Sequence, residues 1–526
     1  MNRTVPKKQR ALILQGGGAL GAYEAGALRE FCIGLDAEDA SDPERLEGQP
    51  MFDIVAGASI GAANATILVD NVINPRNEVA NNSKSWIDAV DVLDAFYDKI
   101  SERGGNMHPM WWIDNIFLKN PVFDGFWKYW ENVKEFYKTQ NDLFYNSIFT
   151  VDKKTTKDYV ANSPLLDRFY FNLFPDTWGV PASSELARKY YSYLFSVFLG
   201  SPGVLSPAMT QPDMKFLDPF YFTHTFARFN NAPLAETMKQ FCKVPLQVKT
   251  RDTDEEIQPR LLIISIDVED ITTPVVFDSF SNKETDSDKF SWHSDYGLNS
   301  DDKAKFRIKY ENGIKMEHVE SSMATPIRYE YPRFPVTNLE NNETVERTFW
   351  DGAFLANTPL RQVMRAHRKY WMDRGEENNI PELEIFIVNL YPSVEQGVPT
   401  SPDAIQDRQV DLTFHDRTKF QVKIDKMRSN YIDALQKLMP KSEKKDDEKT
   451  SKIRNALLKG RFKLGRVVYV ERKEKSGDTI FAKAFDFSPD TIRQLKQEGK
   501  LAAKEAFEKC TSESKEIPKF QSPKNV

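Results

Sequence analysis

The run Phe52-Asp53-Ile54-Val55-Ala56-Gly57-Ala58-Ser59-Ile60-Gly61 passes from a short apolar strand into a turn of small residues and on into a helix, Ala62 to Val69. A serine in Gly-x-Ser-x-Gly between a strand and a helix is a nucleophile elbow. The flanking glycines, Gly57 and Gly61, leave room for a strained turn that exposes the Ser59 hydroxyl. A chain of 526 residues meets this pattern by chance on the order of 0.1–0.2 times, and the strand–helix context lowers that several-fold. The competing reading of the same residues is a plain helix start with Ser59 as its cap.

Upstream lies a second glycine turn. Ala11–Gln15 is a buried-strand pattern that ends in Gly16-Gly17-Gly18 and is followed by a helix-compatible stretch from Ala19 to Phe31. Gly16, Gly18 and Gly21 satisfy G-x-G-x-x-G, the dinucleotide fingerprint, which needs an acidic residue at the end of the next strand. Here Asp53 stands near the start of that strand, which argues against NAD(P) and an oxidoreductase. A second reading is an oxyanion hole, in which unhindered backbone N–H groups at the positive end of a helix stabilise a developing negative charge. A third is a tight turn that merely needs positive φ.

An activated serine needs a base. Asp351, followed by Gly352 after the apolar pair Phe349-Trp350, stands at a turn from which a carboxylate can reach a cleft. His367 and His415 are the downstream histidines that would complete a triad. Only about two strands precede Ser59, fewer than an α/β-hydrolase places before its elbow. His367 sits in the basic helix Arg361 to Asp373, where an exposed histidine is the ordinary outcome.

The rest of the chain surrounds these blocks. From 71 to 257 tryptophans and other aromatics crowd a stretch with little strand alternation, which reads as a mostly helical insertion: a cap, a lid or a docking surface. Strands return at Leu261–Val268, Pro274–Phe277, Leu383–Asn389 and Gly465–Arg472. Ser281 to Lys305 reads as an exposed polar loop, 401–459 as a helical segment with a charged linker, and Pro489 to Lys509 as a helix. Residues 510–526 read as a disordered tail.

Composition narrows the classes. Hydrophobic residues make up 40% and charged residues 28%, enough apolar material for a core. A net charge of −6 leaves no electrostatic footprint for nucleic acid. Three scattered cysteines, Cys32, Cys242 and Cys510, fit neither a disulfide framework nor a Cys-based metal site and point to a reducing, cytoplasmic setting. The basic N-terminus lacks the apolar core of a signal peptide. No run of 18 apolar residues is long enough to span a membrane, so any membrane contact is expected to be peripheral.

Four blocks together resemble the patatin-like phospholipase family: Gly16 to Gly26, the elbow around Ser59, Ser321-Ser322-Met323-Ala324-Thr325-Pro326, and Asp351-Gly352-Ala353 with Asn357-Thr358-Pro359. Their order and spacing match over roughly 10–70 and 258–395. The resemblance implies a three-layer α/β/α core built from 1–70 and 258–400 and completed by 460–509, interrupted by the insertion. It implies a Ser–Asp dyad with Ser59 as nucleophile and Asp351 as base. Gly16, Gly17 and Gly18 would supply oxyanion donors, with Gly21, Gly57, Gly61 and Gly352 supporting the motifs. No metal or organic cofactor is called for. The implied substrate is a phospholipid or other acyl lipid, met at a transient membrane surface by a phospholipase A or lysophospholipase-like esterase. Leu20 departs from the pattern, since many members carry Arg or Lys there. The competing expectations are a transacylase on the same fold and a catalytically silent membrane-binding module.

Overall fold

In strand β1 (Lys8–Leu14) side chains alternate between two separate cores. Leu12 and Leu14 join one apolar cluster, whereas Ala11 and Ile13 join another on the opposite face. A strand apolar on both faces needs helices on both, and that requirement sets the architecture.

The computed structural model describes residues 5–75, 82–105, 229–248, 258–280, 291–298, 303–394, 402–438, 459–473 and 483–515, apart from a few positions inside these stretches, together with isolated positions in 196–207 and 398–399. After β1 come α1 (Gly21–Asp39), β2 (Ile54–Ala58), α2 (Ile60–Ile73) and α3 (Asn82–Gly105). A short pair follows, β3 (Ser206–Pro207) and β4 (Phe229–Asn230), with α4 (Ala232–Met238). Next are β5 (Arg260–Asp267), β6 (Asp270–Asp278), β7 (Ser291–Tyr296), β8 (Phe306–Glu311), α5 (Met316–Met323), β9 (Arg333–Asn338) and β10 (Thr344–Asp351). The chain closes with α6 (Ala353–Ala356), α7 (Leu360–Met372), β11 (Glu382–Asn389), α8 (Pro402–Phe414), α9 (Thr418–Leu438), β12 (Leu464–Glu471) and α10 (Pro489–Lys515).

Ten of these strands form one mixed sheet in the order β12-β11-β1-β2-β5-β10-β9-β8-β7, with β6 also paired to β5. The first five are mutually parallel, and the remainder add on antiparallel. Helices α1, α2, α3 and α10 cover one face through Tyr23, Phe31, Leu68, Trp86 and Ile492. Helix α7 covers the other through Leu360, Val363 and Ala366, with Val422 of α9 beside it. The result is a three-layer α/β/α core. Each fully buried leucine or isoleucine in it is worth about 1.5–3 kcal/mol.

Several sequence expectations change here. Helix α3 and the segment 229–248 do not stand apart as a cap. Trp86, Phe96, Tyr97, Met238 and Leu246 pack into the main core, because α3 turns an apolar stripe toward α1 and α2. The middle of the expected insertion, 106–195, lies outside the described residues, as do 439–458 and 516–526. Ser291–Tyr296, read as part of a polar loop, is a strand paired with β8. Its alternate residues Ser294 and Tyr296 are buried, while Asp295 meets Arg307. Helix α10 runs on to Lys515, into the stretch read as tail. Among the described residues no helix is long and apolar enough to cross a membrane.

Candidate active site

The sheet register brings the two chemically suggestive residues together. Ala58, the last residue of β2, lies opposite Ile264 of β5, and Asp351, the last of β10, lies opposite Ser265. Two strands therefore finish against consecutive residues of a third, one arriving parallel and one antiparallel. Ser59 and Asp351 meet at that junction, with the Ser59 hydroxyl near enough to the Asp351 carboxylate to favour its ionised form.

Ser59 has φ 53° and ψ −127°, a conformation that costs a non-glycine residue on the order of 1–3 kcal/mol. Its neighbours hold it there. A Cβ on Gly57 would meet the Gly61 carbonyl oxygen at 2.1 Å, and one on Gly61 would meet that of Leu14 at 2.4 Å, so both glycines are required by close backbone approach. The Ser59 N–H donates to Ser322 Oγ at 3.0 Å, and the Ser322 hydroxyl donates in turn to the Ile264 carbonyl. The Ser59 carbonyl accepts from Ala62 N–H at 2.9 Å, starting α2.

Asp351 is 3% exposed. Burial pushes its carboxyl up from 3.8 to about 6, opposed by hydrogen bonds from the Ala353 N–H and the Thr325 hydroxyl and by the nearby Ser59 hydroxyl. The Ala353 N–H lies 2.9 Å from Oδ1 and Thr325 Oγ1 3.1 Å from Oδ2. Both oxygens are thus fixed, and the carboxyl is poised near neutral pH.

The glycine loop lies against this pair. A Cβ on Gly16 would come within 2.5 Å of the Ser59 Cβ. The expectation that Gly16 donates to an oxyanion needs correction, because its N–H is already engaged by Asn357 Oδ1 at 2.7 Å. Among the described residues no partner takes up the Gly17 and Gly18 N–H groups, and the Ile60 N–H, at the start of α2, has no intrahelical acceptor. Gly18 has φ +57°, and a Cβ there would meet the Ala484 carbonyl oxygen at 2.3 Å.

Ala484 belongs to a turn, Lys483–Phe485, that no local motif announces. Lys483 is 7% exposed and reaches Asp407 at 3.1 Å and Asp411 at 2.7 Å, both on α8. The Arg328 guanidinium sits 4.4 Å over the Phe485 ring. The turn therefore spans from the glycine loop to the segment that carries Thr325. Asn357, Ser322, Thr325, Ile60 and this turn escaped the sequence reading as functional residues. For Asn357 the signal was present, in the Asn-Thr-Pro block, but not its bond.

The histidines stand elsewhere. His367 is buried rather than exposed, as its place in a basic helix had suggested. It donates from Nε2 to the Pro381 carbonyl at 3.0 Å and packs edge-on to Phe462, and burial pushes it down to about 4. His415 Nδ1 lies 3.2 Å from the Tyr391 carbonyl. Neither has a hydrogen bond to Ser59 or Asp351. Asp53 is tied to Gln9 and the Arg10 N–H at the foot of β2, far from the end where a ribose would sit. Among the described residues no three His, Cys, Asp or Glu side chains converge as metal ligands would.

Residues 12–364, more than half of the chain, match the family described as patatin-like phospholipase. The chain belongs to the patatin-like phospholipase family. Membership places it broadly among hydrolases that act on lipid acyl esters. The patatin-like match takes in the glycine loop, the elbow, Asp351 and Asn357, and ends before β11, α8 and the Lys483–Phe485 turn that buttresses Gly18. No curated protein matches the chain. Among solved structures it is similar to VipD from Legionella pneumophila, at 11% identity and TM-score 0.27 over 96% of this chain and 67% of that one, a likeness too slight to add to the fold described.

Proposed function

We propose that the chain is a serine lipid acyl hydrolase in which Ser59 is the nucleophile and Asp351 the base. The observation that carries this reading is the Ser59 hydroxyl beside a buried carboxylate, where β2 and β10 end on consecutive residues of β5 and Ser59 is held in strain. In the reaction Ser59 Oγ attacks the ester carbonyl as its proton passes to Asp351. The tetrahedral oxyanion is held by the N–H groups of Gly17, Gly18 and Ile60. Collapse breaks the bond to the leaving alcohol, which takes the proton from Asp351, and leaves an acyl-serine. Water then attacks the acyl-serine with Asp351 again as base, releasing a fatty acid and restoring Ser59.

The electrostatics support these roles. A carboxylate raised to about 6 is mostly ionised at neutral pH yet basic enough to accept a proton in the transition state. Each oxyanion donor contributes on the order of 10²–10³ in rate. Loss of Leu20's expected cation weakens any preference for an anionic headgroup at that loop and leaves the dyad untouched. Hydrolysis of a short-chain nitrophenyl ester and of a phospholipid by wild type and Ser59→Ala tests the proposal. The variant is expected to lose at least about 10³ in kcat/KM on both. Retention of full activity would sink it.

A further inference from the structure

The outer layer formed by α7 and α9 combines two features that the catalytic reading leaves unused. Helix α7 reads Leu-Arg-Gln-Val-Met-Arg-Ala-His-Arg-Lys-Tyr-Trp-Met: four cations and no carboxylate. Its apolar residues Leu360, Val363 and Ala366 turn inward, so Arg365 and Lys369 point out. Helix α9 lies beside it on the same face of the sheet. Val422 packs into the cluster that α7 covers, and Arg361 reaches Gln421 at 3.0 Å. Lys423 and Lys426 are exposed on α9, and its nearby Asp425 is only 9% exposed, turned inward and bonded to Gln421. Among the described residues Arg365, Lys369, Lys423 and Lys426 take part in no ion pair. In a chain of net charge −6 this is a marked local excess of positive charge.

The second feature is apolar. Phe420, Met427 and Tyr431 are 63%, 50% and 64% exposed. They follow the spacing i, i+7, i+11, which places them on one stripe of α9. Large side chains left in water on a helix, flanked by cations with no ion pair among the described residues, are the make-up of an element that lies in a membrane interface. The apolar groups enter below the headgroups while the cations stay among them. Nucleic acid would satisfy the cations and leave the stripe exposed.

The position fits as well. Helix α7 begins directly after Asn357-Thr358-Pro359, and Lys419 at the start of α9 bonds Ser393 Oγ, just past the end of β11, and Glu471, the last residue of β12. Both helices therefore start at the edge of the sheet where Ser59 stands. Phe354 and Leu355, 44% and 40% exposed on α6, extend the apolar surface at that edge.

We infer that the α7–α9 face docks the protein onto an anionic lipid surface, with Phe420, Met427 and Tyr431 inserted and Arg365, Lys369, Lys423 and Lys426 among the headgroups. The choice of a lipid occupant rests on the lipid-ester reading above; the face itself does not.

The test is co-sedimentation of the full chain with vesicles of phosphatidylcholine alone, or of phosphatidylcholine mixed with phosphatidylglycerol. Wild type is expected to bind the mixed vesicles, to release as salt rises, and to bind the neutral ones far less. Each cation lost near such a surface weakens partition on the order of five-fold, so Lys423→Gln/Lys426→Gln is expected to bind roughly twenty-five-fold more weakly. Arg365→Gln/Lys369→Gln, on the other helix, repeats the measurement in a separate background. Phe420→Ser/Tyr431→Ser is expected to lose the binding that persists at high salt. Ser59→Ala is expected to bind as wild type does. A Ser59→Ala protein that binds but keeps full esterase activity sinks the catalytic reading and leaves the docking face standing. The face is overturned if wild type ignores the mixed vesicles, if both charge pairs bind like wild type, or if duplex DNA displaces the vesicles.

Discussion

Replacing Asp351 by Asn is expected to abolish activity and, at neutral pH, to stabilise the fold. In the folded protein burial holds this carboxyl at about 6, against 3.8 for an exposed one. At 1.36 kcal/mol per pH unit, the ionised form costs the fold about 3 kcal/mol. The sign follows from proton counting. Between 3.8 and 6 the folded state binds more protons than the unfolded state, so wild-type stability falls as pH rises through that window and levels off above it. Asn carries no such dependence. Its hydrogen bonds can also be met: Oδ1 accepts from the Ala353 N–H, and Nδ2 faces the Thr325 and Ser59 hydroxyls, which can turn to accept. Between pH 4.5 and 7.5 the linkage integral is about 2 kcal/mol, so the variant's stability relative to wild type is expected to rise by about that much. Urea unfolding of both proteins at the two pH values measures it. A stability difference that is flat, or that falls with pH, refutes the claim that this carboxyl is buried and raised.

Three further outcomes follow from the same geometry. The kcat/KM for a soluble ester is expected to rise about ten-fold per pH unit up to about pH 6 and then level, because Asp351 acts ionised; a flat profile from pH 5 to 8 contradicts that role. Gly16→Ala places a methyl 2.5 Å from the Ser59 Cβ and is expected to cost at least about 10² in kcat, read from initial rates on the same ester. Lys483→Met removes a buried ammonium that bonds both Asp407 and Asp411, while Arg408 stays 3.9 Å from Asp411, and is expected to cost on the order of 2 kcal/mol in urea unfolding, more than any exposed lysine on α9.

What the sequence made legible was local. The elbow at Ser59 is spelled out within five residues, and its glycines announce the backbone contacts found at Leu14 and Gly61. Asp351 could be singled out as a turn carboxylate, but its meeting with Ser59 depends on β2 and β10 ending on consecutive residues of β5, a long-range register that no window reveals. The same limit hid Asn357, which takes the Gly16 N–H across 341 positions of sequence. Polar alternation concealed β7, and Pro335 inside β9 disguised a strand that tolerates it near the sheet margin. His367 looked exposed because four cations surround it in sequence, yet helical phase turns it inward while they face out. The aromatic residues of α3 looked like a separate cap for a related reason: composition records how many rings there are, and only packing records what they touch.

The most direct test of the central claim is covalent. A fluorophosphonate probe reacts with a serine whose hydroxyl is activated and whose oxyanion donors are in place. Labelling of the folded wild type, followed by peptide mass mapping, is expected to put one adduct on Ser59, with Asp351→Asn labelled far more slowly and Ser59→Ala not at all. An adduct on another serine, or a folded wild type that stays unlabelled, contradicts the account.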